Sequence, residues 1–537
     1  MTTAAIAVKD QLKILICDDI APEGLSIFQH EKNFKTVIKT KLGVDALKQE
    51  IADCDACVVR SSTKITKEVI AASQKLKVIG RAGVGLDNVD VAAASKKGVV
   101  VINTPGGNTI SAAEHTFSLL MALARNIPQA DSSLKKGEWE RKKFIGVQIL
   151  EKTIGIVGLG RIGTEVAKRA QVFGMKVIAY DPFLRAEKAA QLGVELVSMD
   201  EVLARADFLT LHMPLSVENK YMIGAKELNK MKKGARLINC ARGGLVDEAA
   251  LLGAIESGHI AGAALDVFES EPPKNSSLLA LASVVATPHL GASTKEAQIA
   301  VAVDVAQSLT DFLMGRGVRN AVNVPAMDPE IYEQVWPYIQ LAEKLGSLQA
   351  QLLAGQILQV DIRYHGQVAD YDTTAMTLAV IKGLLTPILA ENVNYVNASV
   401  LAKERGIKIT ESKSSSAAHY ANLIQVVVRT DTKKIGVAGT LFTREDTRIV
   451  MIDDFNVEVV PEGYILLIGN KDVPGIIGQI GTLLGHNQIN IAGMTLGRDK
   501  PGGRATTLLK IDSAISEQVM QEIRKAKNIL DAKLIKL

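Results

Sequence analysis

Two stretches of the chain alternate short apolar runs with amphipathic segments, the pattern of a parallel sheet covered by helices. The first stretch begins with an apolar strand and is followed by a long apolar-periodic helix over residues 108–126. Its other predicted elements are residues 13–18, 44–51, 56–60, 67–74 and 78–81. The alternation predicts one α/β unit ahead of the long helix.

The second alternating stretch begins at Thr153. Its predicted strands are residues 153–157, 176–180, 208–211, 235–239, 262–265 and 283–286. Strands separated by helices in this way are typical of a doubly wound parallel sheet that binds a nucleotide. Residues 295–314 are predicted to form a helix that leads away from this sheet.

The pattern changes after residues 322–325, which we interpret as a linker into a third unit. Between about 329 and 455, predicted helices (331–353 and 375–389) mix with strands (357–364, 424–429 and 448–452), as in an α+β domain. The Ser-rich residues 412–416 are predicted to form a loop. The final module, 463–537, predicts the order β-α-β-β-α-β and ends on a strand at 532–537.

Length and composition limit the classes of protein that fit. A chain of 537 residues is expected to hold three or four domains. An aromatic share of 4% and a net charge of +4 argue against nucleic-acid and membrane partners. The first ten residues show no signal-peptide pattern, and no apolar run approaches the ~20 residues that span a bilayer. With only four cysteines, a cytoplasmic location is expected.

Cys54 and Cys57 form a C-x-x-C pair, which could be a redox motif or half of a metal site. The sequence holds no second cysteine pair to complete a zinc site, and Cys57 falls in a predicted buried strand. We therefore expect a structural role and no bound metal.

A glycine-rich fingerprint follows the first strand of the second series directly. Gly158 is expected to make the tight turn, Gly160 to let a pyrophosphate approach the backbone, and Gly163 to let the following helix, predicted over 164–173, pack on the strand. The free N–H groups of that helix would face the phosphates. Asp181, after the second strand, would bind the adenosine ribose hydroxyls and repel a 2′-phosphate, so NAD is favoured over NADP.

Chemically useful side chains follow the later strands of the same sheet, where ligands of such sheets bind. They are Arg242, Asp266, Glu271 and His289. A histidine suits the role of the base that accepts a hydroxyl proton while hydride leaves the same carbon. A carboxylate on its other nitrogen would fix its tautomer, and an arginine would hold a substrate carboxylate with a forked pair of hydrogen bonds. The four residues together predict an NAD-dependent oxidoreductase acting on a 2-hydroxyacid.

These segments resemble the D-2-hydroxyacid dehydrogenase family, which carries an Arg, a Glu and a His in this chain order. The resemblance rests on the runs Asn239–Glu248, Ala264–Pro272 and Pro288–Gln298. It implies an NAD-binding Rossmann domain over 106–290 and a flavodoxin-like substrate domain split between 1–105 and 291–325. By the same resemblance, Asp266 contacts the nicotinamide amide. The cofactor contacts it implies are Gly158, Gly160, Arg161, Ile162, Gly163, Asp181, Cys240, Ala241, Arg242, Asp266, His289, Gly291 and Ala292.

The run after His289 is most similar to the members of the family that oxidise 3-phosphoglycerate at the start of serine biosynthesis. Arg60, just past a predicted strand, would then meet the substrate phosphate, although its position also fits a solvated strand end. Arg141 would reach in from a neighbouring subunit of a homodimer or homotetramer. The substrate contacts implied are Arg60, Ser61, Gly83, Val84, Asn108 and Arg141.

The C-terminal third resembles the regulatory part of the longer members of this branch. Residues 394–407 resemble their intervening domain, expected over 326–455, and residues 463–537 resemble an ACT domain, a fold that binds amino acids. The implied allosteric effector is L-serine, with Asn470, Asp472 and Asn490 as contacts, although a dimerisation module without a ligand also fits. A dehydrogenase of a different D-2-hydroxyacid and an NAD-sensing binding protein of the same fold are also compatible with the sequence.

Overall fold

A computed structural model describes residues 11–325, 329–389, 392–416 and 420–537. The first ten residues, on which the signal-peptide prediction rests, lie outside this range. The first unit is a five-stranded parallel sheet with the strand order β2-β1-β3-β4-β5. Its elements are β1 Leu12–Ile16, α1 Pro22–His30, β2 Phe34–Ile38, α2 Val44–Ile51, β3 Ala56–Val59, α3 Lys67–Ala72, β4 Val78–Arg81, α4 Val91–Lys97 and β5 Val100–Ile102.

The second unit is a seven-stranded parallel sheet with the order β12-β11-β10-β9-β6-β7-β8. Its elements are α5 Thr109–Arg125, α6 Ile127–Lys135, β6 Thr153–Val157, α7 Arg161–Val172, β7 Lys176–Tyr180, α8 Ala186–Gln191, β8 Glu195–Leu196, α9 Met199–Arg205, β9 Phe208–Leu211, α10 Ala225–Lys230, β10 Ala235–Asn239, α11 Glu248–Glu256, β11 Ile260–Leu265 and β12 Val284–Ala286, with 3-10 turns at Arg141–Phe144 and Ser277–Ala280. The doubly wound sheet is confirmed. The six predicted strands missed β8, because its two residues are too short to show a periodic pattern.

Helix α12, Lys295–Leu313, returns to the first sheet. Val305 and Leu309 of this helix are buried in the same apolar cluster as Ile14 and Ile16 of β1. Helix α5, by contrast, packs with the strands of the second sheet. This packing supports a substrate domain that is split in the chain, and we propose the boundaries near 105 and 291 on that basis.

The third unit is a six-stranded mixed sheet with the order β14-β13-β15-β16-β17-β18, covered by α13 and α14. Its elements are α13 Pro329–Leu352, β13 Ile357–Gly366, the 3-10 turn Gln367–Asp370, α14 Thr374–Leu385, α15 Ala398–Glu404, β14 Lys408–Ser414, β15 Asn422–Thr430, β16 Lys434–Leu441, β17 Thr447–Ile452 and β18 Phe455–Val459. The predicted loop at 412–416 is wrong as far as Ser414. This part of β14 pairs in parallel with β13 as an edge strand, where exposed serines cost little.

The last unit confirms the order β-α-β-β-α-β. Its elements are β19 Tyr464–Lys471, α16 Ile476–His486, β20 Ile491–Arg498, β21 Arg504–Ile511, α17 Glu517–Lys525 and β22 Ile529–Lys536, and its antiparallel sheet has the order β20-β21-β19-β22. Within the described residues, no helix is long and apolar enough to cross a membrane.

Candidate active site

The three fingerprint glycines have the geometry that their positions require. Gly158 has a φ of 94°, in the left-handed region that a turn after β6 needs. A Cβ atom on Gly163 would overlap the carbonyl oxygen of Gly158, so only glycine lets the helix pack this closely. Nothing lies within 4 Å of where a Cβ on Gly160 would stand, which leaves an open cradle over the helix N-terminus. Helix α7 begins at Arg161, three residues earlier than predicted, because its first turn belongs to the fingerprint itself.

Asp181 closes this loop from the end of β7. Its carboxylate accepts hydrogen bonds from the backbone N–H of Leu159 at 2.9 Å and of Phe183 at 2.9 Å. Fixing the fingerprint loop is therefore one role of Asp181, and binding the ribose stays a prediction. Gly158, Gly160, Gly163 and Asp181 together fit a dinucleotide, since they offer an open turn, a helix N-terminus and an acidic side chain.

His289 and Glu271 form the pair that the sequence predicted. Nδ1 of His289 lies 2.8 Å from Oε2 of Glu271, and the His289 side chain is 48% exposed. The backbone N–H of Phe268 donates to Oε1 of Glu271 at 3.3 Å, which orients the carboxylate. His289 itself has a left-handed φ of 56°. Because an ionised carboxylate only accepts hydrogen bonds, Nδ1 of His289 must carry the hydrogen in this contact. The other ring nitrogen, Nε2, is then the one without a hydrogen and can act as a base.

Arg242 extends from the end of β10 across to the first unit. Its Nε donates to Oδ2 of Asp87 at 3.0 Å, and its Nη1 donates to the carbonyl of Ala241 at 2.7 Å. A Cβ atom on Gly85 would overlap Nη2 of Arg242, so this guanidinium lies directly against the turn after β4. Arg242 therefore lies between the two sheets, where a substrate held by the Gly83–Gly85 turn could meet it.

Asp266 is fully buried at the end of β11 and is hydrogen-bonded on both oxygens. Oδ1 accepts from Thr287 Oγ1 at 2.6 Å, from the N–H of Leu290 at 2.7 Å and from His115 Nε2 at 3.1 Å, and Oδ2 accepts from the N–H of Gly291 at 2.9 Å. Burial alone would raise the pKa of Asp266, but these donors outweigh it and hold the pKa below its usual range. A contact with the nicotinamide stays a prediction.

His115 and Thr287 were missed by sequence reasoning. His115 lies within the predicted helix α5, where its spacing follows no chemical motif. Cys240 and Ala241 directly follow β10, and Cys240 lies close enough to Asp266 to feel its charge. Burial raises the pKa of the Cys240 thiol to about 12. The thiol is therefore neutral at physiological pH and contributes shape to the site.

The other wall of the cleft carries the predicted phosphate site. Arg60 follows β3, and its backbone N–H donates to Oδ2 of Asp18 at 2.6 Å. Asp18 also accepts from the hydroxyl of Thr63 at 2.8 Å, and the Asn88 amide donates to the carbonyls of Arg60 and Thr63 at 2.6 Å each. Asp18 and Asn88 thus shape the loop that holds Arg60 and Ser61. The sequence did not point to Asp18 or Asn88, because only the folded structure brings these two residues to the loop.

Arg81 is a second positive group on this wall that the sequence did not single out. Its guanidinium lies under Gly83, where a Cβ atom would overlap Nη1, and its buried Nε has no partner among the described residues. Burial first, and then the charge of Arg242 nearby, lowers the pKa of Arg81 to about 10. Arg81 nevertheless keeps its charge at neutral pH.

Two further residues predicted to contact the substrate, Asn108 and Arg141, lie outside the loop that holds Arg60 and Ser61. Asn108 precedes α5, and its Oδ1 is buried without a partner within the described chain, so it can accept a ligand hydrogen bond. Arg141 is exposed in a 3-10 turn of the second unit. Its predicted role depends on a second subunit.

The three predicted effector residues do not come together within one chain. Asn470 is buried at the end of β19 and accepts from the hydroxyl of Thr507 at 3.0 Å, and Asp472 pairs with Arg498 at 3.0 Å. Asn490 precedes β20 and lies beside Asp512, at the opposite end of the sheet. At ~3.3 Å per residue, the two ends are roughly 20 Å apart.

The C-x-x-C pair lies in the core of the first unit, which supports a structural role. Cys54 and Cys57 are buried with Cys17 in one apolar cluster, and burial raises the pKa of the Cys54 thiol to about 11. In the part of the chain that the structure describes, no group of three or more His, Cys, Asp or Glu side chains could hold a metal ion.

Three family models match the chain in succession. They are the D-isomer specific 2-hydroxyacid dehydrogenase NAD binding domain over residues 117–291, the D-3-phosphoglycerate dehydrogenase intervening domain over 334–453, and the ACT domain over 464–528. Solved structures match a little over half of the chain. A glyoxylate reductase from Paecilomyes thermophila is 30% identical, with a TM-score of 0.55 over 58% of this chain and 98% of its own. A D-lactate dehydrogenase from Aquifex aeolicus, in complex with NAD and lactic acid, is 29% identical, with a TM-score of 0.51 over 56% of this chain and 96% of its own.

The fold and the matched domains are thus those of an NAD-dependent 2-hydroxyacid dehydrogenase with two further C-terminal domains. Curated relatives match over nearly the whole length. A D-3-phosphoglycerate dehydrogenase from Archaeoglobus fulgidus is 46% identical over 98% of this chain and all of its own. One from Bacillus subtilis is 45% identical over 98% of this chain and 99% of its own. The chain belongs to the D-3-phosphoglycerate dehydrogenase family, in its long form with an intervening domain and an ACT domain.

Proposed function

We propose that this chain oxidises 3-phosphoglycerate to 3-phosphohydroxypyruvate with NAD, the first step of phosphorylated serine biosynthesis. The observation that carries the proposal is the cleft between the two sheets. His289 and Glu271 lie 2.8 Å apart on one wall, and Arg60 and Arg81 lie on the other with Arg242 between the walls. A hydroxyacid with a carboxylate and a phosphate matches that distribution of charge.

The chemical step follows from the His289–Glu271 pair. Nε2 of His289 removes the proton of the C2 hydroxyl, and the imidazolium that forms is stabilised through Nδ1–H by Glu271. Bound NAD supplies the acceptor for the hydride that leaves C2. In the reverse direction the same nitrogen returns the proton to the carbonyl oxygen.

Arg242 orients the substrate by its carboxylate. In the described structure its Nε is bound to Asp87, whose side chain is 66% exposed, and its Nη1 is bound to Ala241. The Nη2 group over Gly85 points to the turn whose backbone N–H groups can bind the same carboxylate. Because Asp87 is exposed, its ion pair with Arg242 is weak. A substrate carboxylate can therefore share Arg242 with Asp87 or take the place of Asp87.

The phosphate selects among hydroxyacids. An unphosphorylated acid brings no second anion to Arg60 and Arg81, whereas the phosphate of 3-phosphoglycerate can pair with both. A dehydrogenase of another D-2-hydroxyacid is the second candidate, because glyoxylate and lactate enzymes share the fold.

NADH formation with 3-phosphoglycerate, D-glycerate, D-lactate and D-2-hydroxyglutarate tests the proposal. The highest kcat/KM is expected with 3-phosphoglycerate. A better unphosphorylated substrate would overturn the assignment, and inactivity with all four would favour the NAD-sensing protein.

Arg60→Ala is the matched variant for the phosphate. It is expected to raise the KM for 3-phosphoglycerate about 10- to 100-fold, which corresponds to the loss of one charge-assisted contact, and to leave the kcat/KM for D-glycerate within about threefold. An equal loss with both acids would refute the phosphate role.

For regulation, we propose L-serine as the effector of the ACT domain. Asn470 and Asp472 lie at one end of the sheet and Asn490 at the other, while β20 is its edge strand. Two ACT domains paired antiparallel along this edge would bring Asn490 of one subunit beside Asn470 of the other, so the site requires a homodimer or homotetramer. Calorimetric titration of the wild type and of Asn490→Ala with L-serine is the test. Heat at millimolar serine in the wild type alone is expected, and none in either would favour a module without a ligand.

The exposed Trp139 and Ile145, 75% and 78% accessible, flank Arg141 and support a second contact between subunits there. Light scattering should therefore give at least a dimer. Four cysteines without disulfides support a cytoplasmic location.

A further inference from the structure

His289 has a backbone conformation that is uncommon for a non-glycine residue. Its φ is 56°, and its N–H donates to the carbonyl of Asp266 at 2.9 Å. The next two residues, Leu290 and Gly291, donate their N–H groups to the carboxylate of the same Asp266 at 2.7 and 2.9 Å. Asp266 therefore fixes three consecutive residues, of which the first is the proposed base.

The buried carboxylate of Asp266 depends in turn on side-chain donors. Thr287 Oγ1 lies 2.6 Å from Oδ1 and donates its hydrogen to it. Nε2 of His115 lies 3.1 Å from the same oxygen and 3.0 Å from Thr287 Oγ1. An ionised carboxylate oxygen only accepts, and the threonine hydrogen is already in use, so His115 must carry its proton on Nε2.

Helix α5 contacts the same loop a second time, one turn earlier. The hydroxyl of Ser111 donates to the carbonyl of Gly291 at 2.8 Å. Ser111 and His115 are four residues apart and therefore lie on one face of the helix. This face of α5 holds both the anchor, Asp266, and the end of the loop that Asp266 grips.

We propose that His115 is a positioning residue of the active site: it holds the Asp266 carboxylate, and through it the loop that aims His289 at the substrate. This rests on the proposed function only in taking His289 as the base. His115 does not touch the reacting atoms. Its removal leaves one buried carboxylate oxygen short of a donor, and the carboxylate then rotates or draws in water, so the N–H groups of Leu290 and Gly291 lose their fixed acceptor.

The test compares His115→Leu, which removes the donor, with His115→Gln, whose amide nitrogen reaches the position of Nε2. We expect the leucine variant to lose about 10- to 100-fold in kcat, and the glutamine variant to stay within about threefold of the wild type. With C2-deuterated 3-phosphoglycerate, the isotope effect on kcat should rise in the leucine variant, since misplacing the base slows the chemical step. A merely destabilised protein loses active molecules without changing that isotope effect. An unchanged isotope effect, or equal losses in both variants, overturns the proposal.

A double mutant separates action through Asp266 from any other effect. In an Asp266→Ala background, His115→Leu should change kcat by less than about twofold, because the carboxylate through which His115 acts is absent. A full additional loss there overturns the proposal.

A crystal structure of His115→Leu provides a measurement that needs no substrate. The distance from His289 Nδ1 to Glu271 Oε2 should lengthen beyond a hydrogen bond from its 2.8 Å. An unmoved pair overturns the positioning role even if the substrate has been misassigned, so the two failures stay distinguishable.

Discussion

Replacing Glu271 by glutamine removes the negative charge that stabilises the imidazolium of His289 in the proposed mechanism. Glutamine keeps the size of the side chain, but its single amide oxygen can accept from only one of the two donors. Turned to Nδ1–H of His289, it keeps that hydrogen bond in neutral form and gives up the longer bond of 3.3 Å from Phe268 N–H. The two partner atoms lie 2.8 Å apart, which puts the charge centres roughly 4 Å apart. The side chains are 48% and 38% exposed, so an effective dielectric constant of about 40–80 applies and the Coulomb energy is about 1–2 kcal/mol.

The hydrogen bond also changes from charge-assisted to neutral, which adds about 1 kcal/mol. The transition state, in which the imidazolium forms, therefore loses about 2–3 kcal/mol in Glu271→Gln. This corresponds to a kcat about 30- to 150-fold lower. The measurement is NADH formation at saturating NAD and 3-phosphoglycerate.

Glu269→Gln is the matched control. Glu269 belongs to the same segment, but it accepts from the hydroxyl of Tyr221 at 3.0 Å and from the N–H of Glu248 at 3.1 Å, away from His289. Its kcat should stay within about threefold of the wild type. The reasoning would be refuted by a Glu271→Gln variant that keeps the wild-type kcat, or by an equal loss in the control.

Three further outcomes are expected. His289→Ala should lower kcat by about 10²- to 10⁴-fold while NAD affinity by calorimetry is largely kept, and unchanged turnover would contradict the mechanism. Gly163→Ala should weaken NAD binding and lower the free energy of unfolding by about 1–3 kcal/mol in urea titrations, because the new methyl overlaps Gly158 O; an unaltered midpoint would contradict it. The lowered pKa of Asp266 stabilises the native state above about pH 4, and this contribution is lost as the pH falls through the folded-state pKa. Asp266→Asn should therefore show a shallower loss of stability in acid, followed by tryptophan fluorescence.

The local pattern of apolar and polar residues was sufficient to locate those strands and helices whose position depends on a single physical rule. Five of the six strands predicted between 153 and 286 have the expected bounds or differ by one residue, because buried parallel strands are continuous apolar runs. The 3.6-residue period likewise located α5 and α12 to within a residue. The misses are short or polar elements. The two residues of β8 show no period, and the serines of β14 were assigned to a loop, although a strand neighbour decides their conformation.

The sequence by itself determined the nucleotide fold and predicted the contact between His289 and Glu271, since spacing and residue type constrain both. Gly158, Gly160 and Gly163 lie within six consecutive residues. Strands of a parallel sheet end at one edge, so Glu271 and His289 were expected to meet. Only the tertiary structure decided what supports them. His115 and Asp266 are 151 positions apart, and Arg242 and Asp87 are 155 apart. Such contacts arise from how the units pack against one another, which no local period or motif records.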